Sequence, residues 1–161
     1  MEKPVRTTFS SSVSAAAQEY MQRGWTVAET ANGICLITDG DIAGIEVTGD
    51  TAAFVRRFLR ANDLTGPVIE IPGAERREIH LVTGVRKAAM AIEALRASGV
   101  IVHADGAGIP LPPSRVATGP EGHASWAVAP HEARWVPPVV AISAAVRAAA
   151  KGVPVKARMA S

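Results

Sequence analysis

Glycine and proline cut this chain into short pieces, and that limits what it can fold into. Fourteen glycines and eleven prolines are spread over 161 residues. No apolar run between them reaches the roughly 18 residues that a membrane span needs. The breaks fall at Gly24, Asp39-Gly40-Asp41, Gly66-Pro67, Pro72-Gly73, Ser98-Gly99 and Pro112-Pro113. Each segment between them has the length of one helix or one or two strands, and the whole is one domain's worth of chain. The expectation is a flexible arm over 1–11, a single α/β (α+β) domain over 12–150 and a basic tail over 151–161.

Periodicity assigns the segments. Ser10 to Ser12 can cap a first helix over Ser12 to Arg23, whose face is Val13, Ala16, Ala17, Tyr20 and Met21. Ile34 to Ile37 and Ile42 to Val47 are short and apolar around turn chemistry, so they read as a hairpin. Asp50 or Thr51 caps a second helix over Thr51 to Ala61, with Phe54, Phe58 and Ala61 as its stripe. Arg56, Arg57 and Arg60 fall off that stripe, towards solvent. Val68 to Ile71 and Ile79 to Val82 are strands about Pro72-Gly73. Ala88, Ile92 and Leu95 mark a third helix over Arg86 to Ala97. Val100 to Val102, Ile109 to Leu111 and Ala124 to Val128 are strands, since the prolines after Leu111 forbid a helix there. Pro138 opens a last helix running to Ala150, with Val139, Ile142 and Val146 inward.

Composition narrows the function classes. Apolar residues at 48% and charged residues at 20% make a globular balance, while 4% aromatics offer few stacking platforms for bases. A net charge of +2 is compatible with a nucleic-acid partner without requiring one. The lone Cys35 has no internal disulfide partner, and the opening residues MEKPVRTTFSSS lack the apolar core of a signal peptide, so a reducing cytoplasm is expected and a membrane is not. Cys35 itself reads as a small packed residue of an apolar strand. There is no Cys/His spacing for zinc, His103 and His123 form no metal set, and no Gly-rich phosphate loop or internal repeat is present.

One stretch carries a family likeness. Gly99 to Ser114 reads GVIVHADGAGIPLPPS. It resembles the signature of the bifunctional primase/polymerase N-terminal domain of plasmid and phage replication proteins, where a strand GVDVR is followed by GDGGYVVAPPS. Gly24-Trp25, the strand AGIEVT at Ala43 to Thr48, the stretch Gly66 to Val82 ending RREIHLV, the segment Gly119 to Trp126 and Trp135-Val-Pro-Pro follow that family's order. The resemblance covers about Ala15 to Val146 and implies a compact primase–polymerase-like domain, a mixed sheet with flanking helices around a nucleotide cleft.

The departures from the family bear on mechanism. Polymerisation needs about three acidic groups around two divalent metals. The resemblance puts Glu46 at the first acidic place, Thr48 at the second and Ile101 at the third. Asp50 lies two residues beyond Thr48 and serves either as a further ligand or as a helix cap. Glu46 is then either a surviving ligand or an outward-facing strand residue. His80, or Glu78 depending on the gap, stands where the family's histidine contacts phosphate; the plain alternative for His80 is a half-exposed sheet residue. Asp105 is either a cleft-facing loop residue or one half of an Asp-Gly turn. Arg76, Arg77 and Arg115 are the candidate phosphate contacts, against the alternative of a solvated face.

Three functions are thus compatible with the residues. The first is a degenerate primase–polymerase-like domain binding nucleotide or nucleic acid weakly and without sequence preference, with no certain cofactor. The second is an active primase/polymerase using Mg or Mn on Glu46 and Asp50 or Asp105. The third is a scaffold for a protein partner.

Overall fold

The computed structural model describes residues 11–152. The arm, the serine side chains assigned to the first cap, and the tail from 153 lie outside them. The fold is α+β. Helix α1 is Ser11–Gln22; strands β1 Val27–Thr30, β2 Gly33–Ile37 and β3 Ala43–Thr48 follow, then α2 Gly49–Ala61. Next come β4 Val68–Ile71, β5 Arg77–Val82, a 3-10 turn Val85–Lys87 and α3 Ala89–Ala97. The chain closes with β6 Ile101–His103, β7 Gly108–Leu111, β8 Ser125–Val128, a 3-10 turn Pro130–Glu132 and α4 Val139–Ala150. Among the described residues, no helix is long and apolar enough to cross a membrane.

The strands form two sheets, in orders β1-β2-β7 and β6-β3-β5-β4-β8, with every ladder antiparallel. This replaces the single mixed sheet expected from the resemblance. On one face of the five-stranded sheet, Ile45, Val47 and Val82 pack against Val55, Phe58 and Leu59 of α2, Ile92 and Leu95 of α3, and Val139, Ile142 and Val146 of α4. On the other face, Ile69, Ile79 and Leu81 meet Ile34 and Leu36 of β2, Ile109 and Leu111 of β7, and Ala17 and Tyr20 of α1. Each fully buried Ile or Leu contributes about 1.5–3 kcal/mol, so both faces of the large sheet are strongly held. The sheets approach closely at Gly44, where a Cβ would lie 2.5 Å from Ile109 Cδ1.

The expected hairpin of Ile34 to Ile37 with Ile42 to Val47 does not form. The Asp39 turn exists, its Oδ1 accepting from Asp41 N at 2.8 Å and Ile42 N at 2.9 Å, but it carries the chain from one sheet into the other. β3 is apolar on both faces and needs a central place, between β5 and β6; β2 fills its two edges with β1 and β7. β1 itself, with its Ala-Glu-Thr sequence, gave no strand pattern to read.

Smaller corrections follow from packing. α2 begins at Gly49, with Thr48 at its cap and no side-chain cap bond, so Asp50 is an exposed first-turn residue and neither Asp50 nor Thr51 caps the helix. Its buried stripe is Ala52, Val55, Phe58 and Leu59; Phe54 and Ala61 are half-buried. The start expected at Arg86 is a 3-10 turn, and the α-helix proper begins at Ala89. Met21, placed on the inner face of α1, is 49% exposed.

Candidate functional site

β3 has neighbours on both sides, and its register determines what its side chains meet. Glu46 lies opposite Ile79 of β5 and Ile101 of β6, and Thr48 lies opposite Arg77. Directly opposed residues of an antiparallel pair share a face, and alternate residues of one strand do too. Glu46, Thr48, Arg77, Ile101 and His103 therefore stand on one face. Glu46 is buried there, and it is engaged at both oxygens. Arg77 Nε donates to Oε2 at 2.9 Å, and its Nη2 lies 2.8 Å from the same oxygen. His103 Nε2 lies 2.9 Å from Oε1. With the carboxylate ionised, the ring carries its proton on Nε2 and donates. Burial pushes the Glu46 carboxyl up, but the hydrogen bonds and charges of His103 and Arg77 outweigh it and hold the group below the usual range.

The opposite face of β5 holds a second ionic cluster. Glu78 is fully buried and accepts from Arg56 Nη1 of α2 at 2.9 Å and from Arg76 Nη1 at 3.0 Å. Arg56 is thus turned inward rather than towards solvent, because it is the counter-charge of a buried carboxylate. His80 is 1% exposed, with its Nε2 3.4 Å from Glu78 Oε1. That is longer than the roughly 2.7–3.2 Å of a good N–H···O bond, and both atoms lack a hydrogen-bond partner. Burial holds the imidazole below its ordinary value, partly offset by Glu78. Burial raises the Glu78 carboxyl, but His80, Arg56 and Arg76 outweigh it and keep it low.

The remaining candidates are dispersed. A cleft of about 280 Å³ at the end of β3 is lined by Glu46, Thr48, Thr51, Gly99, Ile101 and Val146, and His80 does not line it. His80 is neither half-exposed nor within reach of a phosphate; it faces the helices inside the core. Asp105 is exposed at φ 57°, the left-handed turn conformation that Asp tolerates, and lies in the β6–β7 turn rather than in the cleft. Arg115 is exposed and tied to its own loop, its Nη1 donating to Gly119 O at 2.7 Å and Ala117 O at 3.3 Å. It borders a groove with Thr30, Asn32, Cys35 and Pro110, which neither Arg76 nor Arg77 lines. Cys35, read as a packed strand residue, is only half-buried at that groove.

These residues do not fit a two-metal centre. Of Glu46, Thr48 and Ile101 only one is a carboxylate, and a guanidinium and an imidazole already occupy its oxygens. Among the described residues, no three His, Cys, Asp or Glu side chains gather as a metal-holding group. Two partners escaped the sequence reading. His103 was signalled, since on a strand it shares the face of Ile101 two residues before it. Arg56 was not, because its helix position gives no sign of the buried carboxylate opposite. The chain matches no protein-family model, no curated protein and no solved structure.

Proposed function

We propose that the chain is a primase–polymerase-like domain without two-metal catalysis that binds nucleotide or nucleic acid, weakly and without sequence preference, in the cytoplasmic replication of a mobile element. The observation that carries this is the β6-β3-β5 register. The three places where the resemblance expects carboxylates, Glu46, Thr48 and Ile101, share one face and one cleft. In that place Arg77 supplies the positive charge that closes Glu46, so the site is neutralised from within. Arg76 and Arg77 retain 47% and 44% of their side-chain exposure while anchored by Glu78 and Glu46. Anchored guanidiniums lose little entropy on meeting a phosphate and keep N–H groups to donate.

The test is a titration of single-stranded DNA at low and moderate salt, with primer extension in Mg and Mn beside it. Weak binding with a log–log salt slope of about −2 to −3 is expected, reduced when Arg76, Arg77 and Arg115 are replaced together. No primer extension is expected. Robust extension lost in Glu46→Ala establishes an active enzyme instead. Absence of binding at low salt makes the protein-partner scaffold the better account.

A further inference from the structure

At the other end of β5 from Arg76 and Arg77, the chain builds another, smaller recess. Its walls are Pro67, Pro130 and the segment from Ala133 to Val136, and Arg23, Trp25, Arg134 and Trp135 border it. The walls are fixed by β5 and by Thr83, the residue that follows it. Leu81 N donates to Pro67 O at 3.1 Å, Thr83 N to Pro137 O at 2.9 Å, and Thr83 Oγ1 to Val136 O at 3.2 Å. Gly66 lets the two walls touch, since a Cβ there would fall 2.1 Å from Pro137 Cδ. Trp25 is held by stacking on Tyr20, ring centroids 5.6 Å apart. The recess is therefore preformed.

Its chemistry is selective. Trp135 is 45% exposed at the border of the recess, so part of the residue is open to a ligand. Arg134 is exposed and has no hydrogen bond or ion pair among the described residues. Among the described residues, the side chain of Arg23 pairs only with the exposed Glu19, at 3.6 Å. Among the described residues no carboxylate lines the recess, and nearby Glu132 turns one oxygen to Ala129 N at 2.7 Å. A volume of about 140 Å³ is well below the roughly 300–1,000 Å³ of a site that swallows a whole small molecule. It takes one flat group at a time. Two arginines beside two indoles match a ligand with both a π face and an anion, and a nucleotide unit has both. An acidic peptide offers charge but leaves the indoles unused.

We propose that this recess binds one nucleotide of a single-stranded nucleic acid, the base on Trp135 and the phosphate on Arg134 and Arg23. The proposal rests on the nucleic-acid reading above but places a contact where neither the resemblance nor the Glu46 cleft does. The probe is a labelled ten-residue oligothymidylate at low salt, followed by anisotropy and by tryptophan fluorescence. Saturation is expected to quench the fluorescence. Trp135→Ala and Arg134→Ala are each expected to weaken binding about tenfold, and Trp135→Phe to keep most of it. Both residues are exposed, so the fold is not at stake. Unchanged affinity in both alanine variants, with loss in the Arg76, Arg77 and Arg115 triple variant, overturns the recess and leaves the nucleic-acid reading standing. No oligonucleotide binding by the parent protein overturns both. Oligoglutamate that binds as tightly and displaces the oligonucleotide overturns the assignment of ligand class.

Discussion

Arg77 and Glu46 meet through a single carboxylate oxygen, which takes both Nε at 2.9 Å and Nη2 at 2.8 Å across the β3–β5 ladder. Removing the arginine leaves a buried carboxylate with His103 alone. Arg77→Ala should lower stability by about 1–2 kcal/mol, since the arginine is partly exposed and solvent screens part of the loss. Arg77→Lys should recover only some of that, because an ammonium puts a single N–H on the oxygen where the guanidinium puts two. Urea denaturation at pH 7 checks both, and an unchanged midpoint in Arg77→Ala would show that the pair carries no weight.

Acid should weaken the fold in two stages. Burial depresses His80, so the folded protein prefers the neutral ring. Its contribution is complete above the unfolded value of about 6.5 and is lost as pH falls below it, towards the folded value. Glu46 and Glu78 are also depressed, and their contribution is complete above about 4.3 and lost as pH falls below that. His80→Gln, which does not titrate, should abolish the first stage and keep the second. Denaturation midpoints between pH 7.5 and 3.5 decide this, and a parent protein equally stable at pH 7.5 and 5 would refute it.

Two glycines at close approaches should differ in tolerance. At Gly44 a methyl group meets Ile109 Cδ1 at 2.5 Å and Ile79 Cγ2 at 2.8 Å, both side-chain carbons in the layer between the sheets. Gly44→Ala should cost about 1–3 kcal/mol. At Gly66 it meets the Pro137 ring at 2.1 Å, and Pro137 is tied through its carbonyl to Thr83. That ring cannot step aside, so Gly66→Ala should cost more and should shift the emission of Trp135. Paired thermal melts and emission spectra test the order.

Two buried hydroxyls join distant parts of the chain. Ser114 Oγ donates to Ile34 O at 2.6 Å and accepts from Ile34 N at 2.9 Å. Tyr20 Oη donates to Pro112 O at 2.7 Å and accepts from Trp126 Nε1 at 3.0 Å. Ser114→Ala takes one partner from each backbone group of Ile34, which stays in the ladder opposite Leu111, whereas Tyr20→Phe takes the hydroxyl from one buried carbonyl and one indole N–H. Each should cost about 1–3 kcal/mol, with Tyr20→Phe at least as damaging as Ser114→Ala. Chemical denaturation of the two variants is the measurement.

The helices and most strands were readable because their signals are local. Ile92 with Leu95, and Val139 with Ile142 and Val146, lie at helical spacing and are buried. Gly99, at φ 86°, ends α3 as a residue without Cβ can. What sequence did not disclose is partnership. Nothing in Ile34 to Ile37 says that its neighbours are β1 and β7 rather than β3, because pairing is settled by which edges the whole sheet leaves open. The same holds for the site. Glu46 was legible as a singular carboxylate, but its closure depends on Arg77 and His103, whose positions follow only from the register of three strands. Glu78 and His80 sit on a strand whose pattern gives no hint that the helix opposite brings Arg56.

The separation of β2 from β3 also sets an order of events during synthesis. β2 has one local partner, β1, and its second, β7, ends at Leu111, some seventy residues downstream of β2. Until that segment leaves the ribosome, the inner face of β2 has no completed sheet around it, and Ser114, which holds both backbone groups of Ile34, is absent. Closure of so long a loop is slow compared with forming the helices. A nascent chain stopped before Gly108 should therefore keep the β1–β2 hairpin unsealed, a target for chaperones or for the free edge of another copy.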